Sequence, residues 1–228
     1  MENSSTGFSL LELFEMGGFL MWPLLLFSIA VVAITLERMV FFLYHNLKLN
    51  DMKETLEAAL ENGKLGETKE YLEGQTRRRM GARVLLTLVK RSNLSEHRLE
   101  KAVEAEALTC ISSLENGLNF LTALGSISPL TGFLGTVTGM IGAFKSIAEA
   151  TEVNAQIVAS GIYEALITTV FGLVIAIIAM VSHSIFTHVV DRFASDVETA
   201  CSDLIIGITE SRETASSPAE ENSEKQEA

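Results

Sequence analysis

Three stretches of the chain, Met16 to Leu36, Asn116 to Phe144 and Ala165 to Val190, contain no Asp, Glu, Lys or Arg. A helix rising ~1.5 Å per residue needs about 20 apolar residues to cross a ~30 Å hydrocarbon layer. Each stretch reaches that length. All 17 basic and 29 acidic residues of the 228-residue chain are therefore segregated outside them. In lipid every backbone polar group must be satisfied internally, so each stretch is expected to be a helix. The pattern argues against both a water-soluble globular enzyme and a disordered chain. The predicted fold class is an all-α membrane protein, with three transmembrane helices and helical cytoplasmic extensions.

Residues 1–16 are read as a periplasmic N-terminus, 17–44 as the first span and 45–115 as a helical cytoplasmic region. The second span covers 116–147, a periplasmic connector 148–163, the third span 164–190, a cytoplasmic helix 191–209 and a disordered acidic tail 210–228. Orientation follows from the basic residues, which accumulate on the cytoplasmic side of short loops. Twelve of the 17 lie in 45–115, none precedes Arg38, and Lys145 alone stands near the connector. The N-terminus is thus expected outside and the C-terminus inside. Because no Lys or Arg comes before the first stretch, it lacks the basic n-region of a cleaved signal and is read as a retained anchor. Trp22, Pro23 and Tyr44 stand where amphipathic rings favour the headgroup zone, and Glu37–Arg38 interrupt the span near its inner end.

Within 45–115, Leu56, Leu60, Leu65 and Leu72 keep helical spacing broken at Gly63 and Gly66, which predicts short helices joined by a turn. Asn93-x-x-Glu96 resembles a capping box, and Leu99, Val103, Glu106 and Cys110 continue a helix expected to enter the membrane unbroken. From Glu210 onward six Glu alternate with Ser, Ala and Pro, a composition with too little apolar surface to offset the entropy of ordering. The net charge of −12 argues against nucleic acid as a partner. Cys110 and Cys201 stand alone, with no CxxC and no His at ligand spacing, so neither a disulfide scaffold nor a metal site is expected.

The second and third spans carry the chemistry. Glycines at 117, 125, 132, 135, 139 and 142 fall within an arc of about 100° at ~100° per residue. One face is stripped of side chains, and Gly135-x-x-x-Gly139 is the small-xxx-small pattern that lets helices approach closely in lipid. Pro129 removes a backbone donor, so a kink is expected, the freed carbonyl being partly met by Ser126, Ser128 or Thr131. In the third span Glu164, Thr168, Gly172, Ala176 or Ala179, and His183 form one polar-to-small stripe. Ile167, Phe171, Val174, Ile178, Val181 and Ile185 form another. A carboxylate at membrane depth is costly unless it faces protein or water, so the first stripe should face inward. A lone intramembrane threonine often does no more than donate to its own i−4 carbonyl. Thr136, Thr168 and Thr169 together with Glu164 make an ion pathway the stronger reading. His183 and His188 are five apart, which is not ligand spacing, and are read as interface residues.

Ser128-Pro-Leu-Thr-Gly-Phe-Leu-Gly-Thr-Val-Thr-Gly-Met-Ile-Gly-Ala-Phe144, followed by Gly161-Ile-Tyr-Glu-Ala-Leu-Ile-Thr-Thr-Val-Phe-Gly-Leu173, resembles the signature of the MotA/TolQ/ExbB proton channel family. Trp22-Pro-Leu-Leu and Leu36-Glu-Arg38 are similar to its first span, so the likeness covers roughly 17–200. Three spans favour the ExbB/TolQ branch, ExbB-like, over the flagellar stator MotA. The resemblance implies a homo-pentameric ring in the bacterial inner membrane, its pore lined by the second and third helices. Two copies of a single-span subunit similar to ExbD or TolR would sit inside, each bringing the aspartate that takes the ion. The work would reach the outer membrane through a TonB-like or TolA-like protein.

Carried over by motif, the resemblance makes Thr136 and Thr169 pore threonines, Glu164 the pore-end glutamate and Pro129 the kink proline. It gives Gly132, Gly135, Gly139, Gly142 and Gly172 a role in helix packing or on a smooth pore face. Two positions depart from the family: Ile178 stands where it usually has proline, and Thr168 where many proton-driven members have alanine. The extra hydroxyl suits a hard cation, so Na⁺ stands beside H⁺ as the translocated ion. The expected function is an ExbB-like subunit that uses the proton motive force to energise TonB-dependent outer-membrane transport. The alternatives are a TolQ-like subunit of the Tol-Pal envelope system, a sodium-driven unit, or a passive membrane scaffold. No cofactor, no metal and no enzymatic activity is expected, since the chain lacks a Walker A motif and any nucleophile–base constellation.

Overall fold

The computed structural model describes residues 14–45, 47, 49–61, 65–76, 79–149 and 155–227. Among these residues the secondary structure is helical, with no strand. The helices are α1 (Met21–Tyr44), α2 (Asn50–Glu61), α3 (Leu65–Gln75), α4 (Met80–Lys90), α5 (Glu96–Glu115), α6 (Leu118–Glu149) and α7 (Ala155–Glu227). Stretches within Met21–Tyr44, Glu96–Glu149 and Val158–Arg212 are long and apolar enough to cross a membrane. The chain divides into two compact units: residues up to Arg38 with Gly117–Phe186, and Met39–Asn116 with the residues from Thr187 onward.

The first unit contains most of α1, all of α6 and the first part of α7. Its outside is apolar: Leu26, Phe120, Leu130, Phe133, Ile141, Val170, Ile177 and Met180 are all exposed. Its inside is small. Gly125, Gly132, Gly135, Ser128, Thr168, Gly172, Ala176 and Ala179 are buried where α6 meets α7. The distribution is the reverse of a water-soluble protein's, as expected where hydrocarbon surrounds the helices and small residues let backbones close up. Of the two stripes read along the third span, the polar-to-small one turns to α6 at Thr168, Gly172, Ala176 and Ala179, whereas Glu164 lies against Gly18. The apolar one turns outward at Val174, Ile178, Val181 and Ile185, whereas Ile167 is buried.

The second unit is an ordinary helical core. Leu49, Met52, Leu56, Leu72, Leu85, Leu88, Leu99 and Leu114 are almost wholly buried, together with Phe193, Val197 and Leu204 of α7. Each such side chain contributes about 1.5–3 kcal/mol of burial free energy. Helix α4 packs on both α3 and α5, and Gly81 in its first turn lies against the Leu49 side chain. Ion pairs tie the elements at the rim: Lys53 to Asp203 at 2.6 Å, Lys90 to Glu73 at 2.8 Å and Arg83 to Glu106 at 2.8 Å.

Several sequence expectations need correction. The helix through Val103 and Cys110 does not run unbroken into the second span: α5 ends at Glu115, and α6 starts at Leu118 after Gly117 with φ +87°. A left-handed glycine just past a helix end stops the hydrogen-bond ladder. The N-cap of α5 is Ser95 and not Asn93: the first helical bonds, from Arg98 and Leu99 N–H, go to the Ser95 carbonyl, while Leu94 N–H still closes the preceding turn on Arg91 O. Gly66 lies inside α3 and not between helices, while Gly63 falls outside the described residues. The backbone of α7 is helical through 210–227, the segment whose composition predicts disorder.

Candidate ion pathway between two apolar helices

Pro129 sits inside α6 and deprives the Gly125 carbonyl of its intrahelical donor. The hydroxyls expected to compensate do not. Ser126 donates to Thr122 O, Ser128 to Leu124 O at 2.6 Å and Thr131 to Ile127 O, each to its own i−4 carbonyl. A hydroxyl has one proton to give, so those donors are spent locally. What the proline step gains is proximity. A methyl placed on Gly172 of α7 would lie 2.6 Å from the Ser128 carbonyl oxygen, and one on Gly132 would lie 2.9 Å from the Thr168 carbonyl oxygen.

The glycine face is thus covered within the chain at three of the five positions singled out in sequence: Gly132, Gly135 and Gly172 are buried in this contact. The Thr168 side chain fills the space over Gly135. Gly139 meets Ala165 and the Gly161 carbonyl, whereas Gly142 has nothing within 4 Å of the place a methyl would take.

The three threonines behave differently from one another. Thr168, only 1% exposed, donates to Ala165 O at 2.8 Å and lies 3.4 Å from Gly132 O. Thr136 donates to Phe133 O at 2.6 Å. Thr169 reaches across to α6 and donates to Gly132 O at 2.9 Å. In an unbroken α-helix that carbonyl also receives the Thr136 N–H, so Thr136 and Thr169 meet at one peptide group.

Glu164 stands one turn before Thr168 on α7. It lines a cavity of about 750 Å³ with Thr138, Ser146, Ser160 and Tyr163 among its walls. Its carboxylate lies against Gly18, in the turn before α1. Sequence reading found Glu164 and the threonines but missed Gly18, Thr138 and Ser160. Only the Gly17-Gly18 dipeptide, a turn signal, pointed that way. Among the described residues no group of three His, Cys, Asp or Glu is placed to hold a metal ion.

Three membrane-length helices with hydroxyls and a carboxylate gathered where two of them touch define the class, a multi-span helical protein with polar groups kept from lipid. The chain belongs to the MotA/TolQ/ExbB proton channel family, whose sequence model matches residues 70–199. It is 35% identical over 182 residues, 75% of this chain and 68% of the relative, to the putative biopolymer transport protein ExbB-like 1 of Synechocystis sp.. It is 30% identical over 196 residues, 83% and 84% of the two chains, to biopolymer transport protein exbB1 of Vibrio cholerae. A shorter match, 45% identical over 74 residues and 32% of each chain, is to the Tol-Pal system protein TolQ of Haemophilus influenzae. The family is one of transport subunits, not an enzyme class.

Proposed function

We propose that this chain is the ring-forming, ion-conducting subunit of an ExbB-like motor in a bacterial inner membrane, with its N-terminus periplasmic and its C-terminus cytoplasmic. Five copies surround a single-span ExbD-like partner. Proton flow along the contact of α6 and α7 drives that partner to energise TonB-dependent outer-membrane transport. Support for the orientation comes from the twelve basic residues of 45–115. Support for the ExbB role comes from the two relatives with that name, which match over most of their length.

The observation that carries the reading is the Thr169 hydroxyl, which bridges from α7 to the Gly132 carbonyl of α6, one helical turn from Thr136. Thr168 and Thr136 give their shortest hydrogen bonds to their own helices, whereas the shortest bond of Thr169 crosses to α6. Hydroxyls at that level, their protons given to backbone carbonyls, offer acceptor oxygens to a protonated acid arriving on the partner helix. Protonation of that acid removes a charge that is costly in a low-dielectric surrounding, and the neutral helix can then move. Glu164, beside a cavity of hydroxyl-bearing residues, would relay the proton at the outer end. The burial of Thr168, its hydroxyl held by Ala165 O, supports H⁺ over Na⁺, since the oxygen is not offered to a cation outside the helix pair.

A TolQ-like role is the second reading, favoured by the 45% identity over 74 residues. In membrane vesicles carrying this chain and its one-span partner, Thr169→Ala and Thr136→Ala are each expected to cut proton flux on the order of a hundredfold while the complex elutes unchanged. Normal flux in either variant overturns the assignment. A passive scaffold would conduct no protons even with the parent chain.

A further inference from the structure

We propose that the Gly17–Gly18 turn is a clamp that fixes the side-chain conformation of Glu164, with Gly18 as a positioning residue; this deepens the reading of Glu164 as an ion-pathway group and rests on it. The turn itself is held at both ends. Gly17 N–H is bonded to Phe14 O at 3.3 Å, and the Gly18 carbonyl accepts the Met21 N–H at 3.2 Å, the first bond into α1. Across the turn the Phe14 and Trp22 rings meet edge to face with centroids 5.5 Å apart.

Gly18 has φ +68°, a conformation in which a side chain is disfavoured. Strain alone does not explain the glycine. A methyl at this position would collide with Glu164 Oε1 and would lie 2.9 Å from Cδ and 3.5 Å from Cγ. The end of the glutamate side chain therefore rests on the bare Cα of Gly18. The adjoining residue seats the same turn on the same stretch of α7, since a methyl on Gly17 would lie 3.3 Å from Ile167 Cγ2. Glutamate has three rotatable bonds, and a carboxylate at a cavity wall samples several of their combinations unless something confines it. Here the backbone of a second element confines it, with its carboxyl end directed at one place beside the cavity that Thr138, Ser146 and Ser160 line. Displacement of a proton-relaying group by about 1 Å can cost on the order of a hundredfold in rate, so a fixed carboxylate matters for conduction.

The test is a double-mutant cycle in the full complex in membranes, joining Gly18→Ala with Glu164→Asp. Aspartate is shorter by one methylene and vacates the space that a methyl on residue 18 would enter. Any cost of the left-handed backbone is the same in both backgrounds and cancels from the cycle. Two readouts are needed: proton flux, and the rate at which dicyclohexylcarbodiimide modifies Glu164, followed by peptide mass spectrometry. The expected result is that Gly18→Ala raises the modification rate at least about threefold and lowers flux on the order of tenfold, while adding no loss to Glu164→Asp.

Gly74→Ala in α3, where a methyl has nothing within 4 Å, should leave the modification rate unchanged. The clamp is overturned if the modification rate stays the same or falls in Gly18→Ala, or if Gly18→Ala costs as much flux in the Glu164→Asp background as in the parent chain. Should Gly18→Ala fail to accumulate in the membrane, recovery of the chain carrying both Gly18→Ala and Glu164→Asp supports the clamp and its failure overturns it. Flux that is unaffected by Glu164→Asp, Thr136→Ala and Thr169→Ala alike would sink the pathway reading. The modification rates would still decide the clamp.

Discussion

Glycine does two different jobs within a few residues of α6. Gly132 is covered by the α7 backbone: a methyl there would lie 2.9 Å from Thr168 O and 3.0 Å from Thr169 Cα. Backbone cannot swing aside as a side chain can, so Gly132→Ala must push the helices apart, with an expected cost of about 1–3 kcal/mol. Gly142, with open space where a methyl would go, should accept Ala with no loss and a small gain in helix propensity. Thermal unfolding of the two variants in one detergent checks the contrast; equal midpoints would refute it. Sequence placed both glycines on one arc and could not separate them, because helical phase gives a direction and not what stands in that direction. The threonines show the same limit. Position on the helix gathers Thr136, Thr168 and Thr169, but that Thr169 makes its short bond across to α6 depends on where the neighbouring backbone lies.

Among the helices of the second unit, surface ion pairs and buried thiols respond to pH in opposite ways. Glu73, hydrogen-bonded to Lys90 of α4, has its carboxyl held below the usual carboxylate value by that bond and by the ammonium charge. A lowered folded-state pKa means the contribution is present above the ordinary value and is lost as pH falls through the lowered one. Both groups are half exposed, so the effect is small. Wild type should melt slightly above Glu73→Gln at pH 7, and the difference should shrink as pH falls below the ordinary carboxylate value and disappear once it passes the lowered one. A gap that persists at low pH would show that the pair does not act through charge.

Cys201, on the later part of α7 and outside the charge-free stretches, is buried, and burial pushes its thiol up to about 12. Cys110 is shifted upward for the same reason, and its Sγ lies 3.8 Å from the Met80 carbonyl oxygen. Neither should react with a disulfide reagent near pH 8 until the chain is denatured, because the thiolate is the reactive form. Prompt labelling of the folded protein would contradict this core.

Across the whole chain, the opposed surfaces of the two units suit two solvents. Exposed Phe120, Leu130, Phe133 and Ile141 in one unit are what acyl chains or neighbouring helices require, while charged rims in the other suit water. One chain leaves much of its apolar surface and a hydroxyl-bearing cavity open, surface that the proposed ring of copies would cover. Gentle extraction of the complete assembly followed by native mass measurement should give five copies of this chain with two of the one-span partner. A monomer, or a mass without the partner, would count against the ring.

The charge-free stretches settled that helices long enough for a membrane form and about where, because hydrocarbon leaves the backbone no other choice. The motifs on the second and third stretches were equally readable from residues alone, since their glycines, threonines and glutamate recur at helical spacing. Chain breaks were less so: the stop at Gly117 turns on one backbone angle, and the Ser95 cap on a preceding turn. Contacts between residues distant in the chain were out of reach. Gly18 under Glu164, Gly172 on the Ser128 carbonyl and Lys53 with Asp203 exist because packing brings separate elements together, and periodicity within one element holds no record of its neighbours.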